Sequence, residues 1–159
     1  MKPLYYVFPG IEIPKAAASR SEGNERVNAQ LKFLPTRAEM EFIVELVATE
    51  RGCKVKDITG PSRKFYDATT RHMVMKLFRE TFLDRRQGVH HRLGTKLIGK
   101  VLGYRDHSTV VNGLKSFANL YETESDMRDA YHVIQHKVIK AIRERRKMMG
   151  EIATGMLTV

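Results

Sequence analysis

The sequence predicts an all-α protein, a helical bundle with an embedded helix-turn-helix. Three observations carry this. Apolar residues recur at helical spacing in successive stretches between Thr36 and Ala141. Residues that start and stop helices stand at the ends of those stretches. Two of the apolar stripes lie close together in Leu97 to Leu120, LIGKVLGYRDHSTVVNGLKSFANL, with a glycine between them. At 159 residues the chain reads as one domain with extensions, long enough to bury a real core. The expected division is an N-terminal extension over residues 1–35, the helical domain over 36–147 and a tail over 148–159.

Residues 1–35 begin with an aromatic, proline-punctuated run (Leu4, Tyr5, Tyr6, Val7, Phe8, Pro9) and continue into the polar KAAASRSEGNER, which reads as a linker. The first part is too short to fold alone, so it packs back on the domain or docks on a partner. It lacks the continuous apolar core of a signal peptide, and no apolar run approaches a membrane-spanning length. The single Cys53 excludes an intramolecular disulfide and a cysteine-based zinc site. A cytoplasmic protein with no membrane partner is expected.

The first helix starts at Thr36, where TRAE has the capping-box spacing of Thr36 and Glu39. Met40, Ile43, Val44 and Val47 form its buried stripe, and Gly52 stops it. KVKDITGPSRK follows as a loop broken at Gly60-Pro61. A second helix is expected from about Asp67 to Phe82, burying Val74, Leu77, Phe78 and Phe82, with Arg71 in its first turn able to project forward. LDRRQGVHHRLG then reads as a basic loop. Its adjacent His90 and His91 seldom point to one ion, and no further ligands stand nearby at helical spacing, so no metal is expected.

In the next helix Leu97, Ile98, Val101 and Leu102 are the apolar stripe. Gly103 ends it, because the residue past a helix end commonly takes a left-handed conformation that glycine reaches cheaply. Gly99 is small where the following helix has to cross closely. Asp106 can cap that following helix, whose apolar positions are Val110, Val111, Leu114, Phe117 and Leu120. Thr123 can cap a long last helix with Met127, Ala130, Tyr131, Ile134, Val138 and Ala141 on its apolar face. Its end, RERRKMMG, is a basic final turn that suits the helix dipole.

The second helix of the pair opens with Arg105, Asp106, His107, Ser108 and Thr109. Five polar side chains at a helix tip suit base edges in a major groove, although any αα-hairpin shows the same periodicity. Charge decides between these readings. The chain carries a net +10, and residues 60–115 hold 12 Lys and Arg against 4 Asp and Glu, so +8 of that excess lies in this one segment. A solvated surface mixes its signs, whereas a polyanion site concentrates one. Double-stranded DNA is the expected partner.

At GYRDHSTVV, residues 103–111, the sequence resembles the C-terminal DNA-binding domain of the DnaA family of bacterial replication initiators, whose signature is G-G-R-D-H-[ST]-T-V. Gly103, Arg105, Asp106, His107, Ser108, Thr109 and Val110 match, and Tyr104 replaces the second glycine. The likeness extends back through VKDITG, a basic loop and ATTRHMVMKLFRE, and forward to the final helix, covering about residues 36–140. It implies a helical bundle of the Trp-repressor or DnaA C-terminal type that binds a DnaA-box-like site in control of replication initiation or transcription. It further implies that Arg105, Asp106, His107 and Ser108, with Thr109 adjacent, enter the major groove. Arg71 matches an arginine that reaches the minor groove, and Lys115 a basic position that contacts phosphate.

The departures are equally specific. The basic loop keeps only Arg63 and Lys64. Thr69 and Thr70 stand where Arg and Pro are usual, and LDRRQGVHHRLG is an insertion whose Arg85, Arg86 and Arg92 are expected to take over phosphate contacts. Nothing resembles G-x-x-x-x-G-K-[ST], so the expectation is a stand-alone DNA reader without the family's ATPase domain and without a bound cofactor. Residues 1–35 are a candidate contact for a replication protein, and the resemblance favours a monomer. The rival from another class is a helical interaction module for an acidic protein or RNA. No catalytic site is expected: Asp106 and His107 are adjacent on one turn and do not face each other as a base and its orienter do.

Overall fold

A computed structural model describes residue 31, residues 33–83 and residues 92–153, of which the last three are described in backbone only. Most of the N-terminal extension, the arginines and histidines of the insertion before Arg92, and residues 154–159 lie outside the described residues. Six α-helices run in the order α1 (Arg37–Arg51), α2 (Val55–Thr59), α3 (Phe65–Thr81), α4 (Thr95–Val101), α5 (His107–Thr123) and α6 (Ser125–Ala153). No strand joins them among the described residues; one isolated bridge ties Leu31 to Phe82.

Helix α1 begins as its sequence dictates. The Thr36 hydroxyl accepts from the Glu39 N–H at 3.2 Å, and the Glu39 carboxylate accepts from the Thr36 N–H at 3.0 Å. These reciprocal bonds satisfy two donors that a helix start leaves open. Gly52 closes the helix in left-handed geometry, φ +70°. The segment after it holds one feature that the loop expectation lacked: Val55–Thr59 forms a short helix, with Asp57 accepting from the Lys54 N–H at 3.1 Å. Ile58 from this turn is fully buried, and that anchor gives five residues enough packing to stay helical.

Helix α3 is the centre of the bundle and touches α1, α2, α5 and α6. It starts two residues earlier than expected and is buried on nearly every side, through Thr69, Thr70, Arg71, Met73, Val74, Met75, Leu77, Phe78 and Thr81. A helix covered all round needs more than one apolar stripe. The threonines at 69, 70 and 81 and the unbranched Met73 and Met75 supply the small or adaptable remainder. Each fully buried Leu, Phe or Met here contributes roughly 1.5–3 kcal/mol relative to exposure.

The last two helices differ from expectation at their junction. Helix α5 continues past Leu120 to Thr123, whose hydroxyl bonds back to the Asn119 carbonyl at 2.8 Å rather than capping α6. Glu124 alone breaks the chain direction, at φ −113° and ψ 106°. Tyr131 of α6 is buried against Phe117, and its hydroxyl donates to Glu80 of α3 at 3.0 Å. Lys76 completes this cluster, pairing with Glu80 at 2.6 Å and lying 4.5 Å over the Tyr121 ring.

Helix α6 also does not stop at Gly150, and the run RERR is not its final turn. Arg146 spans back to α1 instead, pairing with Glu39 at 2.7 Å. Burial raises the Glu39 carboxyl, but bonds from Arg146 and Thr36 and the charges of Arg146 and Arg145 together hold it below the ordinary range. The arginine therefore clamps the two ends of the bundle. No helix of the described residues is long and apolar enough to cross a membrane.

Candidate nucleic-acid interface

The turn of the helix-turn-helix is built from two left-handed residues. Helix α4 ends at Val101, Leu102 leaves helical geometry, and Gly103 and Tyr104 take φ +87° and +59°. A left-handed Gly103 follows from its residue type; a left-handed tyrosine does not. The Arg105 N–H then donates to the Gly99 carbonyl at 2.8 Å. A Cβ on Gly99 would lie 2.1 Å from the Arg105 carbonyl oxygen and 3.4 Å from Val110. The close approach expected at Gly99 is present, and its nearest neighbour is the backbone entering α5.

Asp106 caps α5 as its type predicts. Its Oδ1 accepts from the Thr109 N–H at 2.8 Å and from the Ser108 hydroxyl at 3.0 Å. Hydrogen bonds from the Thr109 side chain and backbone and from Ser108 hold the Asp106 carboxyl below its usual range, despite a small opposing effect of desolvation. His107 contacts the Thr95 hydroxyl through Nδ1, which ties the tip of α5 to the first residue of α4. Asp106, His107, Ser108 and Thr109 are all exposed, as is Lys115 farther along the same helix. Behind this tip α5 crosses α3 at Gly113, where an added Cβ would meet the Met75 sulfur at 2.5 Å and the His72 ring at 2.8 Å. Burial first, then the charges of Arg71 and Arg105, lower the His72 pKa.

The organising point of the site is a backbone corner at Thr59-Gly60. Arg71 is buried, and its guanidinium donates to four carbonyls: Nε to Ile58 at 2.6 Å, and Nη2 to Asp57 at 3.0 Å, Gly60 at 3.1 Å and Ser62 at 3.1 Å. Arg105 donates to the same Gly60 carbonyl. Gly103 closes the third side, since a Cβ there would lie 1.9 Å from the Thr59 carbonyl oxygen. The loop carrying Arg63 and Lys64 and the turn carrying Arg105 are thus fixed to one another through Gly60.

This corrects the placement of Arg71. Its guanidinium does not project toward solvent; it faces inward and holds the 57–62 backbone, because those carbonyls turn toward α3 and need donors. Burial, and then the neighbouring Arg105 charge, disfavour the Arg71 cation, and Asp67 partly offsets them. Burial likewise lowers the Arg105 pKa. Arginine stays charged regardless. The corner therefore carries two close positive charges.

Arg63 and Lys64 are exposed immediately before α3. Arg92 is exposed too, but its Nη1 lies 3.5 Å from the Arg79 carbonyl. That places it near the far end of α3, at Arg79, about 12 Å along the axis beyond Arg71 by helical rise. Arg85 and Arg86 lie outside the described residues. Two features escaped sequence reasoning. One is the Gly60 hub, signalled only by the Gly60-Pro61 breaker. The other is Tyr104, 81% exposed in the turn itself.

Residues 40–116 match the family described as the bacterial dnaA protein helix-turn-helix. The chain is similar to the chromosomal replication initiator protein DnaA of Leptospira biflexa serovar Patoc, at 26% identity over 69% of this chain and 24% of that protein. It is similar also to the protein of that name from Francisella tularensis subsp. tularensis, at 28% identity over 68% of this chain and 20% of the relative. The chain thus spans a quarter or less of the length of these relatives. The matched segment runs from Met40 in α1 to Ser116 in α5 and takes in the Gly60 corner, the left-handed turn and the capped tip. Over residues 40–116 this chain is therefore similar to the bacterial dnaA helix-turn-helix family.

Proposed function

We propose that this domain binds duplex DNA sequence-specifically, at a DnaA-box-like site, in the control of replication initiation or of transcription. The observation that carries the reading is the exposed tip of α5, fixed through Gly60 to the exposed Arg63 and Lys64. A helix tip of this kind enters a major groove, while cations on a flanking loop meet phosphate. Arg105 pairs with a guanine edge. Its Nε is buried without a hydrogen-bond partner among the described residues, so its resting pose leaves donor capacity unused. Asp106 uses Oδ1 for the cap and keeps Oδ2 for a cytosine amino group. His107 and Thr109 offer a ring and a methyl to thymine; Ser108 has no methyl and contributes a hydroxyl.

Phosphate contacts from Arg63, Lys64 and Lys115 supply most of the affinity. Arg71 supports the interface from behind. The likeness to the family favours a monomer on an asymmetric box as the working unit, and residues 1–35 are the candidate contact for a replication protein.

Arg105→Ala is expected to lose about 1–3 kcal/mol of binding, falling mainly on one base pair. Fluorescence anisotropy with cognate and singly substituted duplexes measures this. Lys115→Ala behaves differently: it weakens binding to every sequence alike and lowers the salt slope by about 1. Equal losses for Arg105→Ala on cognate and random duplex would remove direct readout from the account.

A further inference from the structure

Tyr104 is held in a conformation that tyrosine disfavours, φ +59°, with 81% of its surface exposed, directly before Arg105. Nothing in the fold requires an aromatic ring there. The turn needs left-handed backbone, which glycine or asparagine adopts with less strain, and the ring fills no part of the core. A strained residue that packs against little stands out beside a binding surface. Its neighbours define what it meets. Gly103 is pressed on Thr59, and Arg105 is bonded to Gly60, so the exposed Tyr104 stands between two residues that are both fixed to the corner of the basic loop.

Resting on the DNA-binding reading, we propose that Tyr104 is a further contact residue of the interface: its ring lies on the sugar-phosphate backbone at the groove edge and its hydroxyl donates to a phosphate oxygen. A tyrosine suits this position because an amphipathic ring with a neutral donor adds contact at small entropic expense. A neutral donor also releases no counterion, so the contact adds affinity without steepening the salt dependence. Phosphate, unlike a base edge, carries no sequence information.

The test compares Tyr104→Gly, Tyr104→Asn and Tyr104→Phe in the full chain, with Arg105→Ala as reference, by anisotropy across a salt series and by thermal melting. Tyr104→Gly and Tyr104→Asn relieve the backbone and leave the melting temperature unchanged or raised. Both should bind box and random duplex roughly tenfold more weakly, with an unaltered salt slope. Tyr104→Phe should recover the ring's share and lose the hydroxyl's. Undiminished binding by the Gly and Asn variants, alongside lost discrimination in Arg105→Ala, overturns the Tyr104 contact and leaves the DNA-binding reading intact. A loss confined to one base pair overturns the phosphate assignment. Failure of the parent chain to bind any duplex overturns both.

Discussion

Gly103→Ala is expected to lower the stability of the domain by about 2–5 kcal/mol and to abolish sequence discrimination. Two effects act together. A Cβ in left-handed backbone costs about 1–2 kcal/mol. The same Cβ would stand 1.9 Å from the Thr59 carbonyl oxygen, which is backbone and cannot swing aside. Separating the turn from the corner strains the packing by another 1–3 kcal/mol, roughly. The discrimination is lost because the Arg105 contact with Gly60 depends on that separation. Gly52→Ala is the matched control. Gly52 has φ +70° but nothing within 4 Å of an added Cβ, so only the conformational cost of about 1–2 kcal/mol remains. Urea unfolding of the two variants measures the difference, and equal losses would deny the role of the Thr59 contact.

Arg71→Ala is expected to cost about 2–4 kcal/mol of stability, since four backbone carbonyls lose a charged donor in a buried place. Arg71→Lys should recover less than half. An ammonium on a flexible stem has three donors but lacks the planar fork that spans Ile58 on one side and Asp57, Gly60 and Ser62 on the other. In DNA binding, Arg71→Ala should weaken box and random duplex together, through the loosened loop. A loss confined to particular base pairs would instead return Arg71 to the minor groove. Chemical denaturation and competition anisotropy on the same preparations separate the two roles.

The placement of Arg71 shows where sequence reasoning reached its limit. Capping and turn chemistry are local, so Thr36 with Glu39, Gly52, Gly103 and Asp106 could be read directly, and the structure places each where its type demands. The apolar stripes were legible for the same reason. An arginine in the first turns of a basic segment gives no sign in the sequence that the carbonyls of a loop nine to fourteen residues away face it. The same holds for Arg146, which reads as a dipole-matched helix end and in fact closes an ion pair with Glu39 across the bundle. Thr123 misled in the opposite way, because a threonine within a helix and a threonine capping the next one carry the same sequence signal. Long-range polar contacts have no periodicity, and so leave no pattern to read. The tip from Arg105 to Thr109 was legible because its chemistry is contiguous in sequence.

Base reading by this tip is what distinguishes the proposed function from binding by charge alone. Selection of bound duplexes from a random pool at physiological salt tests it most directly. The expected result is enrichment of one short, asymmetric site whose information content collapses at a single position in Arg105→Ala. Recovery of unenriched duplexes by the folded parent chain, with affinity set by salt alone, would contradict it.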